Sequence, residues 1–119
     1  MKTRPSDYLN TVQLLNQLAE EAGELASAAN KMIRIIDGAN PTPVTPDEGW
    51  KKLLEESADV QVCLGEILSI ADWETVAHTR EEKTARWVQR LEGFACCCTQ
   101  AGSHQLDAST SAAERKNGG

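Results

Sequence analysis

The chain has 119 residues and about 13 kDa of mass, enough for one small domain and too little for two independent cores. Its 12 basic and 18 acidic residues leave a net charge of −6, which disfavours wrapping of nucleic acid or docking on an anionic membrane. Only 4% of residues are aromatic, so the core must be built from Leu, Ile, Val and Ala, a mixture that suits helices.

No apolar run approaches the roughly 20 residues of a membrane span, and Met1 to Pro5 leads into a polar stretch. Cys63, Cys96, Cys97 and Cys98 do not form a spaced disulfide framework, because three adjacent cysteines do not all find partners of good geometry. The expectation is a cytoplasmic protein with reduced thiols.

Residues 1–5 read as an N-terminal arm. Ser6 is a candidate N-cap for a first helix running to about Ile36, where Asp37-Gly38 stops it. From Gly38 to Pro46 the segment holds three prolines, which forbid a continuing helix, so this is a loop. Thr45 followed three residues later by Glu48, with Pro46 at the first helical position, predicts a capping box opening a second helix to about Ile70. Asp72 can cap a third helix from Trp73 to about Glu92, with Gly93 as its stop. Residues 6–93 form the expected domain. The stretch 94–119 is rich in small and polar residues and is expected to be a largely disordered tail.

The apolar positions form helical stripes: Leu14, Leu18, Leu25, Ala28 and Met32 in the first helix, and Leu53, Val60, Cys63 and Ile67 in the second. The third offers Trp73, Val76, Ala77, Trp87, Val88 and Leu91. The predicted fold class is all-α: a small helical bundle of long antiparallel helices. Three such helices make a thin bundle, to be completed by oligomerisation.

Each of the first two stripes skips one position, and the residue found there is Glu21 in one and Glu56 in the other. A carboxylate in a leucine position must be compensated, because burying it unpaired costs several kcal/mol. Each has an acidic neighbour one turn on, Glu24 at i+3 from Glu21 and Asp59 at i+3 from Glu56, while Glu20 and Glu55 lie alongside. Such like charges repel unless a cation lies between them. Four carboxylates with waters or substrate oxygens suit Mg²⁺ or Mn²⁺ rather than zinc. Acidic doublets on helices are ordinarily solvated surface; their paired occurrence on two core stripes argues for more here.

These residues resemble a family. Glu20-Glu21-Ala22-Gly23-Glu24 followed by Glu56-Ser57-Ala58-Asp59 looks like the E-E-x-x-E … E-x-x-D signature of the MazG-like, all-α nucleoside triphosphate pyrophosphohydrolases. The likeness runs through the contexts QLAEEAGELA and LEESADVQVCL and then weakly through EEKTARWVQRL, so it spans roughly residues 10 to 92. It implies a helical homodimer or homotetramer that uses Mg²⁺ to split a (d)NTP into its monophosphate and pyrophosphate, in nucleotide pool cleansing or control. By position it implies that Glu21, Glu24, Glu56 and Asp59 ligate the metal and that Glu20 adds a ligand or orients the attacking water. Lys83 stands where the family often places a basic residue toward the phosphates, with Arg86 and Arg90 on the same side. The 31 residues between Glu24 and Glu56 exceed the span expected of compact members, the excess being the proline-rich loop.

Attack on an α-phosphorus needs developing charge neutralised, a water oriented and the leaving pyrophosphate held. Carboxylate-bound Mg²⁺ answers the first need, and basic residues the last. Lys31, about 10 Å along the helix from Glu24, has the reach for a phosphate tail, although a solvated surface role fits it, Arg34, Lys83 and Arg86 as well. Tyr8, Trp50, Trp73 and Trp87 could stack on a base, but tryptophans among aliphatic neighbours are more often core. Asn30 and Asn40 could read a base edge or hold turns, and the base stays unassigned. Two other metal sites are disfavoured: Cys96 to Cys98 with His104 lack C-x-x-C zinc spacing, and no His takes the i+3 place that a di-iron carboxylate bundle needs. The competing expectation is a catalytically inactive helical interaction module on the same bundle.

Overall fold

The computed structural model describes residues 1–38 and 43–99, with side chains through Cys97. A 3₁₀ turn at Pro5–Asp7 is followed by α1 (Thr11–Asp37), α2 (Pro46–Ile67) and α3 (Ile70–Thr99). The protein is all-α, with no strand among the described residues, and none of their helices is long and apolar enough to cross a membrane.

Side-chain boxes set where the helices begin. At α1 the Asn10 side chain accepts from the Gln13 N–H while the Gln13 side chain accepts from the Asn10 N–H, both at 2.9 Å. Ser6 is therefore not the cap. It lies in the 3₁₀ turn, where Asp7 accepts the N–H groups of Thr3 and Arg4, and α1 starts four residues later than the Ser6 reading puts it. Gly38, at φ +63°, closes α1 in the left-handed conformation that glycine adopts without strain, donating its N–H to Arg34.

The Thr45–Glu48 box with Pro46 opens α2 as expected. Leu68 then turns extended, so α2 stops at Ile67 rather than Ile70. At α3 the cap is Ser69, whose hydroxyl accepts from the Asp72 N–H while Asp72 accepts from the Ser69 N–H; Asp72 is the reciprocal partner, not the cap. At its far end α3 continues through Gly93, which has no positive φ to stop it, so residues 94–99 belong to the helix. The expectations for Asn40 and for residues 100–119, including His104, lie outside the described residues, as does the side chain of Cys98.

The chain divides into two compact units, Met1–Trp73 and the part from Glu74 onward. In the first, α1 packs on α2 through the two expected stripes. Leu14, Ala28, Met32 and Cys63 are buried, and Leu18, Leu25, Leu53, Val60 and Ile67 are half-buried. Near the end of α1, Met32 and Ile35 approach Gly49 so closely that a Cβ there would lie 2.7 Å from each side chain. At the other end of α2, Glu66 accepts from the Ser6 N–H at 3.1 Å and from the Arg4 guanidinium at 3.3 Å.

In the second unit the apolar residues of α3 are not covered by the described residues: Val76, Ala77, Trp87, Val88 and Leu91 are all exposed, as is Trp73 at the end of the first. An amphipathic stripe needs a facing surface, and α3 is the sole described element of that unit. Tyr8 and Trp50 are exposed too, so none of the aromatic residues weighed for base stacking belongs to the core.

Candidate metal centre

The stripe that joins α1 to α2 carries its two glutamates to the same place. Glu56 is only 4% exposed, the one buried charged residue among those described, and Glu21 is half-buried opposite it. Asp59, one turn beyond Glu56, is exposed. One carboxylate oxygen from each of Glu21, Glu56 and Asp59 lies within 4.8 Å of the other two. Gln17 steadies the α1 member, its side-chain amide donating to Glu21 Oε1 at 2.7 Å.

The donor set is all oxygen. Oxygens about 2.1 Å from a Mg²⁺ stand roughly 3 to 4 Å from one another, so small side-chain rotations would close this trio on a hard divalent cation. Three carboxylates also leave positions for water or substrate oxygens. The residues present therefore fit Mg²⁺ or Mn²⁺, and no nitrogen or sulfur in the group favours a softer metal.

Of the five acidic residues singled out, the fold brings together three. Glu20 and Glu24 are exposed on α1 and contribute no oxygen to the cluster. Lys31 is half-buried on α1. Lys83 and Arg86 are exposed in the second unit, where Lys83 lines a shallow hollow with Val76, Thr79, Thr84 and Trp87. Gly23 is not a point of close helix approach in the chain, since a Cβ there would meet open space.

Lys52 is the residue that the sequence pattern did not single out. One turn before Glu56, its ammonium pairs with Glu56 Oε1 at 2.5 Å and lies 3.9 Å from Glu55. Hydrogen bonding to Glu56, then the charges of Glu56, Glu55 and Glu24, hold the lysine above its ordinary pKa. The signal available beforehand was its i, i+4 relation to a carboxylate in a core position. Cys63, one turn beyond Asp59, is buried; burial pushes its thiol pKa up, with the negative charges of Glu21 and Asp59 adding to the effect.

Chemically the site is a half-buried anionic trio on two helices, with one ammonium attached and a buried thiol one turn beyond Asp59. Compared with known proteins, the chain matches no family model, no curated protein and no solved structure.

Proposed function

We propose that the chain is a Mg²⁺-dependent nucleoside triphosphate pyrophosphohydrolase that converts a (d)NTP to its monophosphate and pyrophosphate. The observation that carries this reading is the convergence of Glu21, Glu56 and Asp59, with Glu56 buried in a position that packing alone would give to a hydrocarbon. The E-E-x-x-E … E-x-x-D resemblance supplies the reaction class. Nucleotide pool cleansing or control is the matching role, in the cytoplasm and without nucleic acid or membrane as partner.

A bound Mg²⁺ would supply charge neutralisation at the phosphates. Glu21, Glu56 and Asp59 hold it, and Gln17 fixes the Glu21 carboxylate for that purpose. Glu24, which the resemblance implies as a ligand, would join them, and Glu20 would take a further ligand position or orient the attacking water. Lys31, Lys83 and Arg86 are the candidates for holding the phosphate tail.

The working form in this proposal is a homodimer or homotetramer of long antiparallel helices. A second seam on α1 favours it: Val12, Leu15, Ala19, Ala22, Ala26, Ala29, Ile33 and Ile36 recur at alternating steps of three and four, and all but Ala29 are exposed. A continuous apolar seam of that length needs cover.

The test is pyrophosphate release from a panel of NTPs and dNTPs with and without Mg²⁺ or Mn²⁺, run beside Glu21→Gln and Glu56→Gln. Metal-dependent release, lost in both variants, is the expected result. No release from any nucleotide by the folded protein would overturn the hydrolase reading. It would favour the catalytically inactive interaction module instead, to which the exposed seam and the position of Glu24 outside the trio already lend support.

A further inference from the structure

The buried acid of the cluster has a cation of its own, and that ion pair is not explained by helix stability. Lys52 precedes Glu56 by four residues, the less favourable order for an i, i+4 pair given the direction of the helix dipole. The partners are also unequally placed: the Glu56 side chain is 5% exposed and that of Lys52 is 56% exposed. A carboxylate so buried needs a positive partner. The Lys52 side chain, by contrast, is more than half exposed, so its ammonium has a path into solvent once another cation arrives.

Every acidic group that acts on this ammonium belongs to the site or adjoins it: Glu56, Glu55 and Glu24. The ammonium therefore competes for the same carboxylate that the metal reading requires.

We propose that Lys52 is the displaceable counter-cation of this centre: it neutralises Glu56 in the metal-free protein and is expelled into solvent when a divalent cation binds. This rests on the divalent-cation reading above and adds its regulation. Metal affinity is then set by an exchange of a bound ammonium for a bound metal, and the coupling is reciprocal.

Mn²⁺ binding, followed by the electron paramagnetic resonance signal of the free ion, is compared between the unaltered protein and Lys52→Met, which keeps the stem and removes the charge. The variant should bind Mn²⁺ more tightly, by about fivefold for a pair with one exposed partner. In a second measurement on the unaltered protein, acetylation of Lys52 relative to its neighbour Lys51, read by mass spectrometry, should accelerate on adding Mg²⁺. That arm does not depend on the variant folding. Unchanged or weaker Mn²⁺ binding in folded Lys52→Met, or labelling of Lys52 that Mg²⁺ does not accelerate, would overturn the displacement while leaving the metal centre standing. An unaltered protein that binds no Mn²⁺ would overturn both.

Discussion

If three carboxylates converge because a cation is meant to lie among them, removing one charge must stabilise the metal-free protein. Glu21→Gln is the cleanest perturbation, since the amide oxygen can still accept from Gln17 and the side chain keeps its shape. Two unit charges 4.8 Å apart, the upper limit within this trio, repel by about 1 kcal/mol in water-like surroundings and about 3 at an effective dielectric of 20. Asp59 is exposed, so the smaller figure applies to it; Glu56 is buried, so the larger is an upper bound there, reduced by the Lys52 ammonium that pairs with it. After allowance for the weaker hydrogen bond to Gln17, the variant should gain about 1 to 3 kcal/mol. For a chain of this size that is a rise in Tm of roughly 4 to 12 °C in low salt and EDTA, measured by circular dichroism. The gain should shrink in 1 M NaCl, where the Debye length is about 3 Å. With excess Mg²⁺ the order should reverse, because only the unaltered protein retains the full ligand set. A Glu21→Gln protein that melts at or below the unaltered one in EDTA and low salt would refute the idea that these charges strain the apo protein.

Three further outcomes are expected. Hydrogen bonding from Ser6, then from Arg4, lowers the Glu66 pKa from about 4.5, so its contribution is complete above that value and is lost as pH falls through the lower folded value. Glu66→Gln should flatten the acid limb of a plot of Tm against pH below about 5, and an unchanged limb would count against the pairing. Because the Cys63 thiol is buried and its pKa raised, an aromatic disulfide reagent near neutral pH should modify the exposed Cys96 and Cys97 well before Cys63, as peptide mapping would show. Ala26→Arg places a charge on the exposed α1 seam. Light scattering should show a smaller particle without loss of helix content, and an unchanged mass would argue that the seam is not an interface.

What was legible beforehand was whatever a single helix pair decides. Leu14, Ala28, Met32 and Cys63 could be picked out because a 3.6-residue period and one facing helix fix which side is covered, and the same count exposed Glu21 and Glu56 as misfits. The α3 stripe looked equally apolar, yet Trp87, Val88 and Leu91 are exposed, since amphipathicity says that a face wants cover and not what covers it. Helix starts failed where a cap and its partner exchange roles: Ser69 and Asp72 are both good caps, and only their reciprocal hydrogen bonds decide between them. Lys52 carries no distinguishing signal in the sequence, because lysine four residues from glutamate is commonplace on solvated helices. Its meaning depends on Glu56 being buried, which is a tertiary fact.

The contact of Arg4 and Ser6 with Glu66 bears on the order in which the chain assembles. It joins residues 60 to 62 positions apart, whereas α1 and α2 meet across a short connection. Closing so long a span costs chain entropy that the helix pair need not meet first. The helix pair therefore forms early, and the N-terminal clasp arrives late and opens first. The amides of α2 around Glu66 should then exchange with solvent sooner than those around Cys63, a gradient of protection along one helix that runs away from the carboxylate trio.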